Sequence, residues 1–161
     1  MLNVYEVRGA WCVGDGGASR QSGSHREQPR TTHHALYLLD LPGYGYARAS
    51  RAERAGFQRL MEGVLGRERL RGVVWLLDIR RDPSTDDLAM QDAFAAAGTP
   101  VLAALTKSDK LPRGQRVMRA NALRATLGLP DEQVITTSAR KGEGIEELRE
   151  AVAALVGAEG A

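Results

Sequence analysis

Four short apolar runs, each followed at once by a polar turn, set the limits on what this chain can fold into. They are ALYLLDL (35–41), GVVWLLD (72–78), PVLAAL (100–105) and VIT (134–136). A run that is apolar on consecutive positions presents apolar side chains on both faces of a strand, so both faces need cover. Stretches of helical spacing lie between the runs. Strands that alternate with helices pair in parallel and pack between helical layers. The expectation is an α/β fold of three layers, a mostly parallel sheet with helices on both faces.

The helices declare their ends. Ser50 and Glu53 have capping-box spacing, opening a helix to about Leu70 through Gly56, Gly63 and Gly66. Ser84 or Thr85 caps a helix that Gly98 stops, and an Arg-rich helix runs from Pro112 to Leu127, ended by Gly128 and Pro130. A last helix spans Ile145 to Val156. Residues 8–34 are rich in Gly, Ser, Arg, His and Gln with no apolar period, and read as a long flexible loop. Leu2–Val7 ahead of it reads as a strand. Two zones follow: 1–34, a strand plus a long loop, and 35–161, the α/β body.

Composition removes several function classes. Hydrophobic residues make up 43% of the 161 positions, but no run approaches the ~20 residues needed to span a bilayer. The first ten residues carry Glu6 and Arg8 and lack the apolar core of a secretion signal. The expectation is a cytoplasmic protein without membrane contact. Cys12 is the single cysteine, which excludes an intrachain disulfide and a multi-cysteine zinc site. His25, His33 and His34 sit in the loop zone and read as solvated. Net charge is +2 but uneven: Arg48 to Arg81 holds nine Arg against four acids, a local excess of five. That stretch reads as a solvated helix face or as a surface for RNA, with Arg48, Arg51, Arg54 and Arg59 as the candidates, because Arg grips phosphate with a planar fork of donors.

In open parallel sheets ligands bind beyond the carboxyl ends of the strands, and the informative turns stand there. Asp40-Leu41-Pro42-Gly43 places a carboxylate that can hold a Mg2+-bound water, and a Gly amide that can face a terminal phosphate. Thr106-Lys107-Ser108-Asp109 places a carboxylate that can accept from the N1 and N2 edge of guanine. Adenine offers no such donor pair, so one Asp can select between purines. The stem of Lys107 can lie along the base. Thr137-Ser138-Ala139-Arg140-Lys141-Gly142 offers a backbone amide to guanine O6. Each turn alone is weak; the order of the three is specific.

The series DxxG, TKxD, SAxK resembles the third, fourth and fifth signature motifs of translation-factor-like GTPases. DLPGYGYA, from Asp40 to Ala47, and TKSDKL are similar to the EngB/YsxC/YihA family of bacterial ribosome-biogenesis GTPases. This family uses Thr where most Ras-like GTPases begin the base-reading motif with Asn, and Thr106 fits. The resemblance runs from about Ala35 to Val156. It implies a Ras-like P-loop fold binding GTP or GDP with Mg2+. Asp40, Leu41, Pro42 and Gly43 would face phosphate and metal, Asp40 through a water. Thr106, Lys107, Ser108 and Asp109 would hold guanine, and Thr137, Ser138 and Ala139 would close over O6. It also implies a monomer acting on the large ribosomal subunit or its rRNA, with a link to cell division and septation. Tyr44 stands where Ras-like proteins often place a water-orienting Gln, which implies slow hydrolysis. No residue is assigned a catalytic role.

The phosphate-binding string GxxxxGK[ST] does not occur in these 161 residues. Leu2–Val7 is similar to the strand that follows the first switch in this family, so the first strand, phosphate loop, first helix and first switch would precede Met1. Residues 8–34 would then be a long hairpin connection. The first strand of a Ras-like sheet lies in its middle, so open sheet edges are expected here. A late start codon, a truncated gene and a module adapted to work without GTP are the explanations. This form is expected to bind nucleotide poorly, and a GTP-independent RNA- or ribosome-binding module, or a non-functional fragment, is the alternative reading.

Overall fold

The computed structural model describes residues 3–7, 36–43 and 51–157. The chain divides into two compact units, 1–42 and 43–161.

In the first unit, β1 (Asn3–Val7) pairs antiparallel with β2 (Leu36–Asp40), in a register that sets Asn3 opposite Asp40 and Val7 opposite Leu36. This is the hairpin pairing that the sequence predicts. Val4, Tyr5, Tyr37 and Leu38 are exposed large apolar side chains. Two strands alone bury too little surface to hold themselves firmly.

The second unit holds α1 (Arg51–Leu65), β3 (Val73–Asp78), α2 (Thr85–Ala96), β4 (Val101–Thr106), α3 (Arg113–Leu127), β5 (Val134–Thr136) and α4 (Ile145–Gly157). Its sheet has the order β3-β4-β5, all parallel. β4 is central. Leu102, Ala103, Ala104 and Leu105 are all buried, and neighbours along a strand point to opposite faces. Both faces of β4 are therefore covered, as its unbroken apolar run requires. β3 is better covered on one face: Trp75 and Leu77, with Ile79 just past the strand, are buried, while on the other Leu76 is exposed. Trp75 meets Phe94 of α2 edge to face, ring centroids 5.7 Å apart, a favoured aromatic geometry.

Helix ends follow the sequence signals with one change. Ser84 caps α2 through a complete box: its hydroxyl accepts from the Asp87 amide at 3.1 Å, and its own amide donates to the Asp87 carboxylate at 2.7 Å. Gly128 ends α3 in the left-handed conformation, φ +61°. α1 stops at Leu65 and not near Leu70. The Gly66 amide still donates to Glu62, but the chain then turns, and glycines at 63 and 66 weaken the last helical positions. Ser50 and Cys12, with the three histidines, lie outside the described residues. Among the described residues the five strands form two sheets, and β2 and β3 share no ladder, which leaves the open sheet edges that the resemblance implies. The α/β class and the parallel core stand as expected.

Candidate functional site

The second and third motifs come together at the carboxyl ends of β4 and β5. Parallel pairing sets Leu105 beside Thr136, so the turns that follow are neighbours. The Thr137 amide donates to Leu105 O at 2.8 Å, and the Ser108 amide donates to Thr137 O at 3.1 Å. Ser108, Thr137 and Ser138 are buried polar residues, and buried polar groups hold their conformation through such bonds.

Asp109 lies at the front of this arrangement. Its Oδ1 accepts from Ser138 Oγ at 2.8 Å, and Lys110 Nζ stands 3.8 Å from Oδ2. The Ser138 hydroxyl, then Lys110 and Arg140 nearby, hold the Asp109 carboxyl below its ordinary pKa, against the opposing effect of burial. The group is an oriented, ionised acceptor.

Lys107 is the residue where the chain leaves β4. It is left-handed, φ +62°, which turns the backbone so that Ser108 goes inward. Its ammonium is 3.0 Å from Asp78 Oδ2 at the end of β3. Asp78 also accepts from Arg80, through Nη2 at 2.7 Å, Nε at 2.9 Å and the backbone amide at 3.1 Å. Arg80 is the chief cause of an Asp78 pKa far below the usual carboxylate range, with Lys107 adding to it. Thr106 Oγ1 donates to Leu77 O at 3.0 Å, fastening the end of β4 to β3.

Gly144 follows the third motif with φ +69°, and a Cβ built there overlaps the Thr136 carbonyl oxygen. Only glycine allows this approach of the chain to the end of β5. Ala139 and Lys141 are exposed.

The first motif lies elsewhere in the division of the chain. Asp40, Leu41 and Pro42 end the first unit and Gly43 opens the second. Asp40 is exposed and accepts from Asn3 Nδ2 at 3.4 Å. Among the described residues no three His, Cys, Asp or Glu side chains converge into a direct metal site. Tyr44 and Arg48 are outside the described residues, as are the side chains of Arg51 and Arg54; Arg59 is exposed.

Sequence reasoning missed Asp78, Arg80, Arg116 and Glu143. Asp78 carried a usable signal, since it too closes an apolar strand. Glu143 stands between Gly142 and Gly144, a spacing that marks a tight turn.

No protein-family model matches the chain. It is 47% identical over 121 residues to a protein of Syntrophomonas wolfei named a probable GTP-binding protein EngB, covering 74% of this chain and 62% of that protein. It is 47% identical over 124 residues to a Gemmatimonas aurantiaca protein of the same name, covering 76% of this chain and 61% of that one. A Bacillus subtilis protein of that name is 37% identical over 114 residues, 70% of this chain and 58% of that one. The chain thus spans about three fifths of the length of these relatives. The crystal structure of a probable GTP-binding protein engB superposes with a TM-score of 0.64, at 18% identity, over 74% of this chain and 76% of that chain. No helix among the described residues is long and apolar enough to cross a membrane.

Proposed function

The aligned three quarters of the chain belongs to the EngB family of GTP-binding proteins, and from that premise we propose that its turns after β4 and β5 read the edge of guanine. The observation that carries this reading is the bond from Ser138 Oγ to Asp109 Oδ1 at 2.8 Å. It joins the two turns and fixes one carboxylate in place, an ionised acceptor for the N1 and N2 donors. Adenine would leave that carboxylate without those partners, and an unpaired polar group in a closed site is penalised. Lys107 would lie along the base with its ammonium held by Asp78. Thr106 would support the turn through Leu77, since its hydroxyl is already engaged. Ser108 and Thr137 would hold the two turns together from behind, and the Ala139 amide would meet O6.

Asp40 would steady Mg2+ through a water, and Gly43 would face the terminal phosphate. The metal, when bound, would neutralise charge on the phosphates. The 161 residues contain no GxxxxGK[ST] string, and phosphate contacts supply much of the affinity for nucleotides. This chain by itself should therefore bind GDP weakly and turn over GTP slowly or not at all. Titration with a fluorescent GDP tests the affinity, and submicromolar binding refutes it. Asp109→Asn tests the base reading: preference for guanine over adenine nucleotides should collapse, and an unchanged preference removes Asp109 from the role.

A cytoplasmic place and a partner in the large ribosomal subunit or its rRNA belong to the same proposal. Arg59, Arg67, Arg69 and Arg71 support it, since all four are exposed on or just after α1, where phosphate is reachable. Binding to ribosomal subunits should weaken steeply as salt rises. Binding that ignores salt and GDP alike speaks against both the GTP-dependent reading and a separate RNA-binding module.

A further inference from the structure

Asp109 is held by a chain of contacts that leads away from the motifs. Ser138, whose hydroxyl fixes Asp109, donates its own amide to the backbone carbonyl of Glu143 at 2.9 Å. The Glu143 side chain then turns toward the other loop. Its Oε2 accepts from Ser108 Oγ at 3.4 Å and from Arg116 Nη1 at 2.8 Å. Arg116 also donates through Nε to Leu111 O at 3.0 Å, just past the 3-10 turn Ser108–Lys110 that carries Asp109.

Glu143 therefore touches the third motif through its backbone and the second through its carboxylate. Arg116, from the first turn of α3, grips Glu143 and Leu111, two residues past the second motif, with one planar group. The guanidinium is a rigid fork, so these two bonds fix a distance as well as a contact. The Arg116 side chain is 15% exposed and that of Glu143 36%, so the pair is partly shielded from water. Neither residue belongs to the three motifs.

We infer that Arg116 and Glu143 form a strut that sets the spacing of the two base-reading turns, and so tunes guanine selectivity without contacting the base. They are positioning residues, and the inference rests on the guanine reading proposed above. Discrimination through a carboxylate depends on placement to a fraction of an ångström. Removing the strut should let Asp109 drift while the sheet beneath stays as it is.

The test uses the full 161-residue chain with Arg116→Gln and Glu143→Gln, and Arg116→Lys as the conservative change. Amide hydrogen exchange without nucleotide comes first. In both Gln variants the Ser108 and Ser138 amides should exchange about tenfold faster, while those of Ala104 and Leu105 keep their rates. Arg116→Lys should fall between, since it keeps the charge and loses the fork. Unchanged loop amides, or an equal acceleration across β4, overturn the strut. The second readout compares GDP with inosine diphosphate, which lacks the N2 amino group, at millimolar ligand by NMR. The native chain should favour GDP, and both Gln variants should shrink that ratio. A ratio unmoved by either variant overturns the link to selectivity. If the native chain shows no preference while the loop amides respond as described, the strut stands and the guanine reading fails, taking the selectivity claim with it.

Discussion

The turn after β2 and the turns after β4 and β5 carry motifs of equal clarity in the sequence, but the fold treats them differently. Asp40 ends a strand of an exposed two-stranded ribbon and accepts one side-chain bond, from Asn3, among the described residues. Asp109 sits above a strand buried on both faces and is reached through Ser138, Glu143 and Arg116. The difference teaches that a binding turn takes its rigidity from the strand beneath it. A parallel strand with cover on both sides can hold a carboxylate still; a ribbon with its apolar side chains in water holds it loosely.

The sharpest way to break this comparison is to shorten one leucine in each region. Leu105→Ala, at a fully buried site in β4, should lower unfolding free energy by about 3 kcal/mol. Leu38→Ala in β2, 43% exposed, should lower it by less than about 1 kcal/mol. Urea denaturation followed by tryptophan fluorescence measures both, and similar losses would erase the contrast. Next in size is a pair of glycines flanking Glu143. Gly144→Ala should cost about 2–3 kcal/mol, because left-handed backbone and the overlap with Thr136 act together. Gly142→Ala, with φ +68° but nothing within 4 Å of its Cβ, should cost about 1 kcal/mol.

Ser138→Ala should cost less than Gly144→Ala, about 1–2 kcal/mol. It should also let the Asp109 carboxyl rise toward its ordinary pKa, since that hydroxyl is the main cause of its lowering; carboxyl-detected NMR titration reads the shift. The last effect is one of pH. Asp78 is lowered in the folded chain by Arg80 first and Lys107 after it. A lowered carboxylate favours the folded state above its unfolded value of about 3.9, and that support fades as pH falls below it. The urea midpoints of the native chain and Asp78→Asn should therefore differ at neutral pH and converge on acidification. A gap that widens in acid contradicts the assignment.

What the sequence made legible was local. Apolar runs gave β3, β4 and β5, Ser84 and Gly128 gave helix ends, and the motif order gave the loops that meet at Asp109. Each of those signals lies within a few residues of its effect. Arg116 and Glu143 were not legible because 27 residues separate them, and nothing in a helix sequence tells which Arg turns toward a distant loop. The early end of α1 was missed for a related reason: glycines at 63 and 66 weaken a helix, but packing decides where it stops. The split into two sheets was legible only through the resemblance, which implies open sheet edges; no single segment carries strand order.

Lys107 holds an improbable backbone shape and a charge at the same position. Substitution there separates the two demands. Glycine keeps the bend and discards the ammonium; arginine keeps a cation but changes its reach; isoleucine, branched at Cβ, suits neither. A library of variants at this codon, sorted for folding and separately for ligand capture, should rank glycine high in the first sort and low in the second. The residue that looks like a simple cation in the string TKSD is also the hinge pin of its own turn.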